Sequence, residues 1–192
     1  MNSTASLLLS ASFLSLCGCA TDLVLPKDAA PSSAAAYVGG NFTLLRNTRA
    51  IAFILKNQDT AQEFPIPFTS KANYRDGHNE VALVPLPPGR YAATHWVLYN
   101  AYYGPTLLGG GQELKRRMDE SILTQIFVLH PGEVVFLGKF VGIGAWVPGV
   151  ASSTTSAQWT AEKLTKEQAQ GDVRDNYRNF GHVNVRCIAC DR

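Results

Sequence analysis

Cys187 and Cys190, a CxxC pair near the end of the chain, are the residues best suited to redox or metal chemistry. Reactive CxxC thiols usually sit at the N-terminus of a helix, which lowers the thiol pKa. Only Asp191 and Arg192 follow this pair, which leaves no room for such a helix. We therefore expect a local disulfide or another structural pair in an oxidising compartment, and no catalytic centre.

A zinc site is the second chemistry that these cysteines suggest. His182 could add an imidazole to the two thiolates, but no second CxxC supplies a fourth ligand. Structural zinc sites almost always have four ligands, so we expect no metal. The remaining histidines, His78, His95 and His130, are scattered, and no GxSxG, HExxH or GxxxxGK motif occurs. The sequence predicts no catalytic constellation and no cofactor.

A basic cluster, Lys115-Arg116-Arg117, lies in the stretch from Asn100 to Ser121, which also contains Tyr102 and Tyr103. The stretch is rich in glycine and predicts a long loop with a short irregular element. Long loops in compact domains are often functional, so these five residues form a candidate binding loop. Three basic residues are fewer than the roughly 4–8 of polybasic lipid sites, and neighbouring acidic residues nearly cancel them. A solvated surface is the simpler interpretation.

The start of the chain is an uncharged apolar run that ends in Leu16-Cys17-Gly18-Cys19. This run is far shorter than the roughly 20 residues that a membrane-spanning helix needs, so it is typical of a signal peptide. Its end resembles the lipobox of bacterial lipoproteins, in which a small residue precedes the modified cysteine and a Leu stands three places before it. The resemblance implies that residues 1–18 are a signal peptide and that Cys19 carries the lipid, including palmitate. One departure is the lack of Lys or Arg in residues 1–6: either the terminal amine suffices or the true start lies upstream.

The resemblance also implies a location. Ala20 rather than Asp after the modified cysteine implies sorting to the outer membrane, with the protein facing the periplasm. Residues 19–36 are rich in Ala, Ser and Pro and show no periodicity, which predicts a flexible tether. The folded domain is then expected over residues 37–192.

Within that domain the pattern is one of short, apolar runs with strand periodicity. The predicted strands are Phe42–Arg46, Ile51–Leu55, Val81–Val84, Tyr91–Tyr99, Ile122–Leu129, Val134–Ile143 and His182–Cys187. Tyr91–Tyr99 is apolar on both faces and should be a central strand. The turn residues His130-Pro131-Gly132-Glu133 predict a hairpin between the two runs that flank them. Thr165 and Gln168 match a capping box, which predicts one helix from Gln168 to Phe180.

The Pro87-Pro88-Gly89-Arg90-Tyr91 turn, the Pro131-Gly132-Glu133 hairpin and the capped helix together resemble lipoproteins with a transthyretin-like or carboxypeptidase-regulatory-like β-sandwich. The resemblance covers roughly residues 42–142. It implies a mainly β fold, an antiparallel β-sandwich of about seven strands with one C-terminal helix. In those families the domain is usually a non-catalytic module.

The charge composition of the chain excludes one class of partner, nucleic acid. With 17 basic and 15 acidic residues, the net charge of +2 is too balanced for an electrostatic nucleic-acid surface. The leading hypothesis is a lipid-anchored, non-catalytic domain, not an enzyme, that binds another envelope component, protein or glycan. The alternative is an envelope redox or zinc-dependent accessory protein that uses the C-terminal CxxC.

Overall fold

The computed structural model describes residues 23–45, 50–69, 79–99, 112–145 and 156–190. These ranges form a mainly β fold of two sheets with one α-helix. The strands are β1 (Ala36–Leu45), β2 (Ala50–Asn57), β3 (Glu63–Pro67), β4 (Asn79–Leu86), β5 (Gly89–Tyr99), β6 (Gln112–Arg117), β7 (Phe127–Leu129), β8 (Val134–Ala145), β9 (Ser156–Glu162) and β10 (Val185–Cys187), and the helix is α1 (Lys166–Asn176).

The two sheets pack face to face around an aromatic core. The first sheet has the order β10-β8-β1-β4, with β9 also paired to β8, and the second has the order β3-β2-β5-β6, with β7 also paired to β5. Phe42 of the first sheet stacks on Phe68 at 4.4 Å between ring centroids, and Phe53 of the second meets Phe140 edge-on at 5.0 Å. Such aromatic pairs add to the free energy gained by burying the rings. The sandwich and its single helix agree with the fold class expected from the sequence.

The helix packs on the other face of the first sheet. Ala169, Val173 and Tyr177 are fully buried there against β1 and β4. The Tyr177 hydroxyl accepts a hydrogen bond from the backbone N–H of Leu83 at 3.0 Å and donates one to the carbonyl of Val81. The molecule is therefore layered as helix, first sheet and second sheet, which leaves the outer face of the second sheet opposite the helix.

The capping box at the helix start is confirmed. Thr165 Oγ1 accepts from the backbone N–H of Gln168 at 3.2 Å, and Gln168 Oε1 accepts from the backbone N–H of Thr165 at 2.8 Å. The predicted helix end was wrong, because the α-helix stops at Asn176 and a 3-10 turn, Arg178–Phe180, follows. The three-residue spacing of Tyr177 and Phe180 fits a 3-10 turn as well as an α-helix, so spacing alone could not separate the two.

The predicted hairpin was also wrong. Ile122–Thr124 is a 3-10 turn, and the short β7 pairs with β5 in the second sheet, while β8 pairs with β1 in the first. The turn at residues 130–133 therefore carries the chain from one sheet to the other. Its Glu133 side chain accepts hydrogen bonds from the His130 N–H at 2.8 Å and from Arg186 at 2.9 Å, which ties the turn to β10. Turn residues indicate where a chain reverses, but they do not select the strand that pairs next.

Strand number and direction differ from the expectation as well. The described ranges hold ten strands rather than about seven, because β3, β6 and β9 had been assigned no strand. The first sheet is mixed rather than antiparallel, since β1 and β10 both run parallel to β8. β3 contains Pro65 and Pro67, and prolines are tolerated at a sheet edge such as this one. Central β5, by contrast, confirms the predicted strand over Tyr91–Tyr99.

The described part of the expected tether, residues 23–35, lies against the sandwich. Val24 is buried, and the Leu25 N–H donates to the carbonyl of Leu83 at 2.8 Å along the edge strand β4. Lys27 bonds the carbonyl of Val81 and lies 4.4 Å from the centroid of the Tyr177 ring. Burial lowers the pKa of Lys27, and Glu80 partly opposes this shift. The packed unit thus begins before Tyr37, because this segment covers the exposed edge of the first sheet.

Candidate binding cleft on the second sheet

A cleft with a volume of about 850 Å³ opens on the outer face of the second sheet, on the side opposite α1. We call it the outer cleft. Its lining residues come from four strands (β2, β3, β5 and β6), the turn from β2 to β3 and the connection from β6 to β7. They are Lys56, Gln58, Glu63, Ala92, Ala93, Thr94, His95, Arg117, Met118, Glu120, Thr124 and Ile126. Its size falls in the range of small-molecule and peptide sites, so it is the leading candidate site in the described part of the molecule.

The cleft forms where β5 changes partner. β5 pairs with β7 over residues 89–91 and with β6 over residues 95–99, so residues 92–94 lie between the two partners. The connection that leaves β6 is held by a hydrogen bond from the Met118 N–H to the Thr94 carbonyl at 3.0 Å. Further along, Leu123 is buried in the core and anchors the 3-10 turn. The short side chains of Ala92 and Thr94 therefore form the floor, while the Ala93 side chain faces the core, and the connection forms one wall.

A β-bulge shapes this floor. The pairing between β2 and β5 shifts register between Ile54 and Leu55, which leaves Thr94 as the extra residue. Thr94 Oγ1 lies 3.4 Å from the Ile54 carbonyl, to which it donates, and 3.0 Å from Nδ1 of His95. A bulge increases the local twist and redirects the neighbouring side chain. Here it brings His95 to the same outer face as Lys56.

An ion pair spans the outer face and shows that this face is concave. Lys115 Nζ on β6 lies 2.7 Å from Glu63 Oε2 on β3, although β2 and β5 lie between these strands. Neighbouring strands are about 4.8 Å apart, so a flat sheet would hold these two strands too far apart for the contact. The outer face of the second sheet must therefore curve, which brings β3 and β6 close enough for Glu63 and Lys115 to pair. Both side chains are partly exposed, so the pair adds little to stability.

His95 is the titratable group nearest the floor. Partial burial lowers its pKa, and the charges of Lys115 and Arg117 lower it further, while Glu63 acts in the opposite direction. The ring is therefore predominantly neutral at pH 7, with one nitrogen as a donor and the other as an acceptor. Within the described ranges no group of three or more His, Cys, Asp and Glu residues could hold a metal ion. The arrangement offers ionic contacts and hydrogen bonds to a ligand.

Only part of the predicted binding loop lies within the described residues, and that part is a strand. Lys115, Arg116 and Arg117 lie on the edge strand β6 rather than in a loop, because charged residues are well suited to an exposed edge. Arg117 lines the cleft and Lys115 spans the face beside it. The Arg116 guanidinium instead lies over the Trp96 ring, 5.7 Å from its centroid. Tyr102 and Tyr103 lie outside the described residues.

Sequence reasoning missed most of the cleft. Lys56 and Gln58 lie on or just after β2, and Ile126 precedes β7, and nothing in their local sequence marks a site. Ile126-Phe127-Val128-Leu129 is apolar throughout, so its two faces cannot be told apart by hydropathy. Only the structure shows that Phe127 and Leu129 are buried while Ile126 and Val128 are exposed.

Cys187 and Cys190 form a disulfide on the other sheet. The segment continues beside β8, since the Ile188 N–H donates to the Phe136 carbonyl at 2.9 Å and the Ala189 N–H donates to the Leu137 carbonyl at 3.2 Å. Sulfur atoms joined in this way have no thiolate to offer a metal. His182 is exposed on the preceding turn. Cys17, Cys19 and His78 lie outside the described residues, as does the stretch from Asn100 to Gly111.

We expect the double substitution Cys187→Ser and Cys190→Ser to leave the fold intact. The cross-link closes a loop of only a few residues, so it constrains the unfolded chain little and should contribute less than about 2 kcal/mol. The measurement is urea unfolding of the double variant beside the wild-type protein, with and without reductant. A larger loss of unfolding free energy, or loss of bound zinc or of a reductase activity that the wild-type protein shows, would contradict this expectation and favour the redox or zinc alternative.

Comparison with known proteins does not identify a family for this chain. No family model matches the chain, and no curated protein matches it. Among solved structures, the crystal structure of a leucine-rich repeat protein from Bacteroides thetaiotaomicron VPI-5482, at 2.80 Å resolution, is similar with a TM-score of 0.32 and 13% sequence identity. The match covers 58% of this chain and 14% of that chain. A similarity of this size carries no inference about function.

No helix in the described ranges is long and apolar enough to cross a membrane.

Proposed function

We propose that this protein is a lipid-anchored, non-catalytic β-sandwich of the bacterial cell envelope that binds another envelope component through the outer cleft. The observation that carries the proposal is the cleft itself, with a floor of small residues and walls of charged and polar side chains. The lipobox at Leu16–Cys19 supports the anchor, and Ala20 supports the outer membrane as its location.

The contacts of His95 favour binding over chemistry. Thr94 Oγ1 lies 3.0 Å from Nδ1 of His95 and 3.4 Å from the Ile54 carbonyl, so this hydroxyl is shared between the ring and the backbone. An activated nucleophile also needs a third group that orients its base. Among the described side chains, no carboxylate hydrogen-bonds His95 to orient it as a base. A neutral imidazole in this position is suited to donating and accepting hydrogen bonds with a bound ligand.

Site-specific photo-cross-linking in the native host tests the proposal. The full-length chain would carry a photoreactive amino acid in place of Ile126, which is 59% exposed at the cleft. A control chain would carry it in place of Gln170, which is exposed on α1 at the opposite side of the molecule. We expect discrete cross-linked products from the cleft position that the helix position does not give. Absence of products at the cleft, or the same products from both positions, would overturn the proposal.

A further inference from the structure

The ligand class can be deduced from the cleft, on the premise of the proposed binding function. We infer that the outer cleft binds an extended segment of a partner protein in which an acidic and an apolar side chain are two residues apart, so that both lie on the same face of the segment. The acidic group would sit over the floor between Lys56 and Arg117, and the apolar group would cover Ile126.

Two cations that form no ion pair with a described side chain flank the floor. Lys56 lies on β2 and Arg117 on β6, on either side of β5, and the floor between them is made by Ala92 and Thr94. Neither cation forms an ion pair with a described residue. Other cations of the same sheet do: Arg90 pairs with Asp59 at 2.7 Å, and Lys115 with Glu63 at 2.7 Å.

The acidic residues of the cleft do not cancel this charge. Glu63 is opposite Lys56 in register, but its carboxylate contacts Lys115. Glu120 is the other acidic lining residue, and it is exposed at the rim. Because Glu63 pairs with Lys115, Glu120 is the one lining carboxylate left to face Lys56 and Arg117. A ligand carboxylate that lies over Ala92 and Thr94 can reach both Lys56 and Arg117. Charge complementarity of this kind gives specificity to an interface.

Exposed apolar side chains continue the cleft on one side. Ile126 is 59% exposed and Val128, two residues further along the same face, is 41% exposed. In the described ranges the only other exposed large apolar side chain is Leu23. A single exposed apolar residue needs no explanation, but two neighbours beside this pair of cations form a surface with both apolar and charged character.

The lining favours a protein segment over a glycan. None of the described lining residues is Phe, Tyr or Trp, so this part of the cleft lacks the large rings on which the apolar face of a sugar typically stacks. A polypeptide can supply both a carboxylate and an aliphatic side chain on one face, from residues two apart in an extended segment. Residues 92–95 of β5 line the cleft, and an extended segment can lie along this stretch of strand.

Three probes test the inference with the full-length lipidated chain in detergent micelles. The first is the blocked peptide Gly-Ser-Asp-Gly-Leu-Gly-Asp-Ser-Gly, the second replaces both Asp residues with Asn, and the third is trigalacturonate, which carries carboxylates on sugar rings. We expect the acidic peptide to bind with a Kd on the order of 1 mM or below, and the Asn peptide to bind roughly tenfold more weakly. Raising the salt concentration should weaken only the acidic peptide.

Matched variants locate the binding. Lys56→Ala with Arg117→Ala should reduce binding of the acidic peptide to the level of the Asn peptide. Lys163→Ala with Arg178→Ala removes the same charges from exposed positions outside the cleft and should change nothing. Ile126→Ser should weaken both peptides by a similar factor. Retained solubility and an unchanged circular dichroism spectrum would show that each variant is folded.

The outcomes separate this inference from the proposed function. Equal binding of the two peptides, or no effect of the Lys56→Ala and Arg117→Ala pair, overturns the inference. Tighter binding of trigalacturonate than of the acidic peptide also overturns it, since the carboxylate would then belong to a glycan. In each of these cases cross-links from position 126 in cells would still support a binding function. Absence of those cross-links would overturn the function itself.

Discussion

Replacing Cys19 with Ser is expected to move the protein from the membrane fraction to the soluble fraction. The expectation rests on the match of Leu16-Cys17-Gly18-Cys19 to a lipobox. Burial of an acyl chain contributes about 0.8 kcal/mol per CH₂, and stable anchoring takes more than one chain. Loss of the modified cysteine removes all of this free energy at once. Ultracentrifugation of lysates, followed by detection of the protein in pellet and supernatant, measures the effect.

Cys17→Ser is the matched control, because it removes a thiol two residues away without removing the lipid carrier. We expect this variant to remain in the membrane fraction and to incorporate labelled palmitate like the wild-type protein. Palmitate labelling retained by Cys19→Ser would refute the assignment of the lipid to Cys19. Separation of the two membranes then tests the location: recovery of wild-type protein in the inner membrane would contradict the outer-membrane sorting expected from Ala20.

The strands that the sequence predicted well are those whose burial follows from local pattern. β2, β4 and β5 are runs in which apolar residues continue on both faces or alternate with period two, and both patterns reflect the sandwich core. The strands β3, β6 and β9 escaped prediction, because none of them has a run of apolar residues with strand periodicity. β6 carries Lys115, Arg116 and Arg117, and β3 carries two prolines, and either feature alone is typical of a loop.

The pairing of strands could not be predicted, for a different physical reason. β8 lies parallel to β1, although Tyr37 and its register partner Val134 are 97 positions apart in the sequence. No local pattern encodes a contact at that sequence separation. The same limit explains the segment of residues 23–35, whose composition is typical of a flexible chain. Its order comes from hydrogen bonds to the backbone of β4 and from the contact of Lys27 with Tyr177, both distant in sequence.

The outer cleft could not be predicted for both of these reasons, the weak local pattern of some of its strands and the long-range pairing of others. The basic cluster made Lys115 and Arg117 candidate binding residues, and both side chains lie at the outer face of the second sheet. Lys56 joins them only because β2 pairs with β5, and the floor exists only because β5 exchanges β7 for β6 as its neighbour. The bulge at Thr94 is set by the same pairing. A site built from a change of strand partner has no signature in the residues that form it.

The largest single loss of stability is expected from Gly39→Ala. Gly39 lies in β1, between β8 and β4, and is opposite Leu83 in register. A Cβ atom at this position would be 1.8 Å from the Ala82 carbonyl oxygen and 2.7 Å from Cδ2 of Leu83. The first contact is with backbone, so it cannot be relieved by rotating a side chain. Either β1 must separate from β4 or the first sheet must distort, and we expect a loss of at least about 3 kcal/mol in the free energy of unfolding.

Gly171→Ala is the matched control, since it adds the same methyl group to a glycine in α1. The added Cβ meets only Nη2 of Arg174, at 3.9 Å, which is an ordinary contact. Alanine is favoured over glycine inside a helix, so this variant should be more stable than wild type by up to about 1 kcal/mol. Urea unfolding of the two variants measures both effects under one set of conditions. A Gly39→Ala midpoint equal to that of wild type would show that β1 and β4 are not packed as closely as described, and the first sheet, on which α1 and residues 23–35 both pack, would need a different register.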